Sequence, residues 1–153
     1  MITKRAELLA RFVHFNQKRQ DNEPYINHCE RVAHQVSLLE SATEDMICAA
    51  WLHDCIEDAD LIMEMNDFIF NVFGYDIWDI VITLTHDPVL GSYIDYIKRV
   101  SQHPQALQIK FLDMIDNTSY NIPPEQWGKY HRAIIFLREK GIEIPAILKE
   151  RLL

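Results

Sequence analysis

The residues best equipped for chemistry are His53-Asp54 and Glu57-Asp58, which follow directly on the apolar run Ala49-Ala50-Trp51-Leu52. Side chains four apart on a helix lie one above the other. A helix here therefore stacks His53 with Glu57 and Asp54 with Asp58, gathering an imidazole and three carboxylates on one strip. Like charges at that spacing repel, and ionised carboxylates resist burial beside an apolar run. A divalent cation supplies the missing counter-charge, so the strip is a candidate metal site.

A metal site draws donors from more than one element, and two further residues qualify. His28 opens a helix directly after Tyr25-Ile26-Asn27, and Asp113 is an acid within the apolar stretch Ile109-Lys110-Phe111-Leu112-Asp113. Taken singly, His28 reads as a surface or hydrogen-bonded histidine, and Asp113 as a core acid paired with Lys110 one turn earlier. Taken with His53 and Asp54 they form a two-His, two-Asp set of nitrogen and oxygen donors. Such a set suits Mn, Fe, Zn or Co without choosing among them. A metal lowers the pKa of bound water and an adjacent carboxylate steers its proton, so such a set is equipped for hydrolysis.

The elements that must position these groups read as helices. Apolar residues recur at helical spacing over residues 2–15, and Asp21-Asn22-Glu23-Pro24 breaks the chain. A second helix is expected over 25–39 and a third over 44–57, capped by Ser41 or Thr43 with Glu44 and Asp45 in its first turn. Leu61 to Phe73 follows, stopped by Gly74, and then 75–84, 92–100, 104–121 and 125–139, the last ended by Gly141. With about seven to nine helices and no strand, the expected class is all-α.

The bulk properties are those of a globular protein. At 153 residues, 48% hydrophobic and 25% charged, the chain is one domain long, and residues 1–153 are expected to form a single domain. A net charge of -8 argues against a nucleic-acid partner, so an anionic substrate must meet locally placed cations or metal. The three cysteines, Cys29, Cys48 and Cys55, suit reduced core thiols better than disulfides. With no apolar leader and no spanning run, a cytoplasmic location away from the membrane is expected.

Three stretches together resemble a known family: Trp51-Leu52-His53-Asp54-Cys55-Ile56-Glu57-Asp58; Ile109 to Asn117 with Asp113; and His14-Phe15-Asn16-Gln17-Lys18-Arg19 leading through Pro24-Tyr25-Ile26 to Asn27-His28. The pattern resembles the HD-domain phosphohydrolase superfamily, in particular the hydrolase domain of the RelA/SpoT alarmone enzymes and their small single-domain relatives, over roughly residues 10–120. The resemblance implies a compact HD-domain helical bundle. It also implies that His28, His53, Asp54 and Asp113 hold one divalent ion, Mn²⁺ in the alarmone hydrolases, with Zn²⁺, Fe²⁺ or Co²⁺ as alternatives. Glu57 and Asp58 are implied to flank the attacking water, with Glu57 as base. Arg19 matches an arginine beside the substrate base, and Asn117 an asparagine of the nucleotide pocket. The implied reaction removes the 3′-pyrophosphate of guanosine tetra- or pentaphosphate, and no synthetase domain is expected in this sequence. The alternatives are another phosphatase activity at the same site, on a nucleoside 5′-monophosphate, NADPH or a sugar phosphate, or a non-catalytic nucleotide-sensing or partner-binding domain.

The chain departs from that family at Gln20, where a basic residue is usual, at Asn16 and Asn22, where loop glycines are usual, and at Asp116. Asparagine tolerates the left-handed backbone, which would preserve the loop. Other candidates are set aside. His86-Asp87 repeats the dipeptide but precedes Pro88 and reads as a helix end. His34, His103 and His131 read as solvent-facing or structural, and Cys29 and Cys55 as bystanders beside the site. The aromatic stripe Phe68, Phe70, Phe73, Tyr75 and Trp78 reads as core, since a stacking platform would interleave Lys and Arg.

Overall fold

A computed structural model describes residues 1–153. The chain is all-helical, with nine helices and no strand: α1 (Ile2–Val13), α2 (Ile26–Ser37), α3 (Glu44–Leu52), α4 (Ile62–Phe73), α5 (Tyr75–Leu84), α6 (Tyr93–Ser101), α7 (Pro104–Asn117), α8 (Pro124–Glu139) and α9 (Ala146–Leu152). They fall into two units, Met1–Thr85 and His86–Leu153.

In the first unit α3 is the central element, with α1, α2 and α5 packed on it and α4 packed on α5. A helix apolar around most of its circumference belongs in an interior. Met46, Cys48, Ala49, Ala50, Trp51 and Leu52 are accordingly all buried. Thr43 starts this helix by accepting a bond from the Met46 amide at 3.2 Å.

The third helix is shorter than the spacing predicts. It ends at Leu52, and residues 53–58 continue as turns, held by the Cys55 amide on the Leu52 carbonyl (2.9 Å) and the Asp58 amide on the Asp54 carbonyl (3.0 Å). The His53 ring contributes to the change. Its Nδ1–H bonds the Ala50 carbonyl at 2.7 Å, a carbonyl that a continuing helix would give to the Asp54 amide.

The expectation for the aromatic stripe is also corrected. Phe73 is buried, but Phe68, Phe70 and Tyr75 are 47%, 44% and 59% exposed. With apolar residues on nearly every side of α4, only one narrow strip is covered. Ile69 and Phe73, four apart, take it. Trp78 lies against Phe70 and Tyr75 and donates to Asn66 Oδ1 at 2.9 Å.

In the second unit α7 packs against α6 and α9, and α8 against α6 and α9. Ser92 and Asp95 cap α6 reciprocally. The helix α9 has no counterpart among the elements expected from periodicity. Arg151 on it donates to the Ile115 carbonyl (2.8 Å), Thr118 Oγ1 (3.1 Å) and Ser119 Oγ (3.2 Å), satisfying groups at the C-terminal end of α7 that the helix itself leaves open. Its apolar face, Leu148 and Leu152, is buried. His86 and Asp87 lie just beyond α5, consistent with a helix end.

Residues 14–25 form a tight loop that carries several candidate site residues. The Tyr25 amide bonds the Gln17 carbonyl (2.9 Å), the Arg19 amide the Glu23 carbonyl (2.9 Å) and the Asn22 amide the Arg19 carbonyl (2.9 Å). Asn22 makes the reversal at φ +67°, the left-handed backbone anticipated for it. The loop is tied to α2 by Arg31, which forks onto both carboxylate oxygens of Glu23 and holds that acid below the usual carboxylate range. Asn22→Gly is expected to leave stability nearly unchanged, whereas Asn22→Val should cost about 1–2 kcal/mol for forcing a branched side chain into that region. Urea unfolding of the two variants measures the difference.

Candidate active site

The first unit brings three of the expected ligands together. His28, on the first turn of α2, is fully buried, and His53 is 3% exposed. Their Nε2 atoms lie 3.2 Å apart. Asp54 Oδ2 sits 2.9 Å from His53 Nε2 and 3.8 Å from His28 Nε2. Because His53 Nδ1–H is committed to the Ala50 carbonyl, Nε2 is the nitrogen that presents a lone pair in the neutral imidazole. That lone pair faces a carboxylate oxygen, which also carries only lone pairs.

This donor set fits a divalent transition ion. Donor atoms about 2.0–2.2 Å from a common ion lie roughly 3 Å from each other. The confrontation of acceptors has a physical resolution once a cation stands among them. The Ala50 carbonyl on His53 is the kind of outer partner that fixes the tautomer of a ligating histidine.

A second outer partner was not picked out from the sequence. Tyr25, at the start of α2, donates its hydroxyl to Asp54 Oδ2 at 2.5 Å, and its ring lies between those of His14 (centroids 4.9 Å) and His28 (5.5 Å). The available signal was spacing: Tyr25 stands three residues before His28, so the two share a helix face.

Glu57 and Asp58 are both exposed residues, the Asp58 side chain at 29%. Asp58 Oδ2 accepts from Gln17 Nε2 at 2.9 Å, and Gln17 Oε1 lies 2.7 Å from Nδ1 of the buried His14. Burial pushes the Asp58 carboxyl above the ordinary value, with the Asp54 charge adding to the rise and the Gln17 bond opposing it. Arg19 is half-buried, and Gln20 is exposed on the same loop.

In the second unit, Asp113 is buried and held from both directions along α7. Lys110 Nζ meets its Oδ2 at 2.7 Å, the pairing that the sequence offered as the plain alternative, and Asn117 Nδ2 donates to its Oδ1 at 2.8 Å. Asn117 Nδ2 also reaches the Tyr130 hydroxyl at 3.0 Å, which accepts from Gln126 as well. Burial opposes the charge on Lys110, but the Asp113 carboxylate and the surrounding tyrosines outweigh it and hold the ammonium well above its ordinary value. The ammonium lies 5.4–5.9 Å from the ring centroids of Tyr96, Tyr93 and Tyr130. Asp116 is half-buried on the same helix.

A family model described as HD domain matches residues 6–110 of this sequence. The chain belongs to the HD domain family. The matched stretch contains Arg19, His28, His53, Asp54, Glu57 and Asp58, and it ends before Asp113 and Asn117. The HD domain is 30% identical over 115 residues to guanosine-3′,5′-bis(diphosphate) 3′-pyrophosphohydrolase MESH1 of Drosophila melanogaster, covering 71% of this chain and 63% of that protein. It is 34% identical over 124 residues to the protein of the same name from Danio rerio, covering 75% and 67%. The chain thus spans just under two thirds of the length of its fly relative. Its fold is similar to the solved structure of a metazoan ortholog of SpoT that hydrolyzes ppGpp, with a TM-score of 0.77, 24% identity, and 99% of this chain and 91% of that one covered.

No helix of the HD domain is long and apolar enough to cross a membrane. Tyr25→Phe removes the hydroxyl bond to Asp54 and keeps the ring. Loss of an outer partner of a ligating carboxylate typically weakens a metal about 10–100-fold. Titration of the metal-stripped wild-type and variant proteins with Mn²⁺ in a calorimeter should show a loss in that range, and equal affinities would remove Tyr25 from the site.

Proposed function

We propose that this HD domain is a metal-dependent phosphohydrolase acting on a guanosine nucleotide that bears a 3′-pyrophosphate, which it releases by hydrolysis. The observation that supports this most strongly is the meeting of two buried imidazole nitrogens with the Asp54 carboxylate, in a stretch similar in sequence to the pyrophosphohydrolases of fly and zebrafish. Asp113 is proposed as the fourth ligand and Mn²⁺ as the ion. Both follow from the resemblance of residues 109–117 to the alarmone hydrolases. Residues 1–153 are proposed to work as one HD domain, in the cytoplasm, where its small nucleotide substrate is dissolved.

A bound divalent ion supplies Lewis acidity toward phosphoryl oxygens and makes water a stronger acid. The other roles belong to the chain. His28, His53 and Asp54 hold the ion, with Ala50 and Tyr25 fixing the orientation of His53 and Asp54. Glu57 takes the proton from the attacking water, and Asp58 orients that water through its fixed carboxylate. Arg19 lies against the guanine base or meets a phosphate, and Asn117 contributes to the nucleotide pocket. On a protein of net charge -8, a cationic side chain and an ion are what a polyanionic nucleotide requires.

The test is product identification. The purified protein, supplied with Mn²⁺, is incubated separately with guanosine tetraphosphate, guanosine triphosphate, guanosine 5′-monophosphate and NADPH. Pyrophosphate and guanosine diphosphate from the tetraphosphate are the expected products. Phosphate released only from one of the others would reassign the substrate. Glu57→Gln should keep the metal and lower turnover by about 10²–10⁴-fold, the range of a general base. Arg19→Ala should weaken the tetraphosphate by about 1–3 kcal/mol while barely changing hydrolysis of p-nitrophenyl phosphate, which offers no base to grip.

A further inference from the structure

His14 and Gln17 hold no place in the ligand set or the nucleotide contacts, yet they are the groups that fix Asp58. A carboxylate only accepts hydrogen bonds, so Gln17 must turn Nε2 toward Asp58 Oδ2, at 2.9 Å, and Oε1 toward His14 Nδ1, at 2.7 Å. An amide oxygen also only accepts. His14 therefore carries a hydrogen on Nδ1, and the Cys55 sulfur lies 3.8 Å from its Nε2. Both links from His14 to the carboxylate have one direction.

The bridge is as fixed in place as in polarity. The Gln17 amide bonds the His14 carbonyl at 3.1 Å, and its carbonyl accepts from the Tyr25 amide at 2.9 Å. His14 is 1% exposed and lies against the Tyr25 ring, whose hydroxyl holds Asp54. His14 Nδ1 stands 3.7 Å from Asp58 Oδ2, too far for a direct hydrogen bond, so the amide carries the connection.

We infer that Gln17 is a positioning residue for the hydrolysis, its amide oriented by the buried His14 and fixing the Asp58 carboxylate in a single direction beside the ligand residues. The inference rests on the proposed function in one respect, the assignment of Asp58 to the reaction.

Two variants and a spectrum test it. Long-range ¹H–¹⁵N correlation of histidine-labelled full chain at pH 8 should give His14 the shifts of the Nδ1–H tautomer, and an Nε2–H tautomer in the wild type overturns the inference. Gln17→Glu keeps an acceptor for His14 but sets a second carboxylate against Asp58. Gln17→Met removes both bonds. Gln17→Glu should retain the His14 tautomer and Gln17→Met should lose it, while both lower kcat on guanosine tetraphosphate by about 10–100-fold with KM and Mn²⁺ content little changed. Wild-type kcat in Gln17→Glu would limit the amide to anchoring His14 and overturn the positioning role. A wild-type protein that releases no pyrophosphate would instead sink the proposed function, and the catalytic part of this inference with it.

Discussion

Two imidazole nitrogens and a carboxylate oxygen meet within 2.9–3.8 Å of one another in the first unit, and the bonds around them set how they meet. Polar groups held this close are costly to bury unless a proton or a cation stands among them. The surrounding bonds restrict each group to one orientation. The Ala50 carbonyl takes the His53 hydrogen and the Tyr25 hydroxyl takes one position on Asp54. The ring of His28 packs edge-on to those of both Tyr25 and His53. An interior built this way is complementary to a positive charge before the charge arrives.

That arrangement explains why α3 stops where it does. His53 and Asp54 lie in turns, where the His53 ring can bond back to the helix it leaves. Within the same turns the Asp58 amide bonds the Asp54 carbonyl, and its carboxylate reaches Gln17 on the loop before α2. The loop itself depends on a single left-handed residue, Asn22, and on the fork of Arg31 onto Glu23. Local backbone chemistry thereby sets the position of a polar network several residues away.

Much of this was legible in the sequence because it depends on spacing. The periodicity of α1, α2 and α5 to α8, the cap at Thr43 and the stop at Gly74 are local signals, and they survive folding. The conjunction of His28, His53 and Asp54 was legible for the same reason, as residue types that have little other reason to recur together. What escaped depends on tertiary competition. Nothing local shows that the His53 ring will take the carbonyl that would extend α3, or that α9 will be held by Arg151 on carbonyl and hydroxyl groups at the end of α7. The stripe on α4 misled because composition reports how apolar a helix is and not how much of it a neighbour covers. Tyr25 was visible only as a letter in a motif until its hydroxyl was found on Asp54.

The three cysteines bear on how the interior can be entered. Cys29, Cys48 and Cys55 are each completely buried and outside any disulfide, and burial raises the Cys48 and Cys55 thiols, so those two resist forming the thiolate on which alkylation and oxidation depend. Cys55 follows Asp54 directly, and Cys29 follows His28. A sulfhydryl reagent can reach either one only when the segment carrying a ligand opens to solvent. The fold therefore carries its own chemical clocks, and their rates of modification count the openings of the ligand-bearing segments rather than the reactivity of the sulfur.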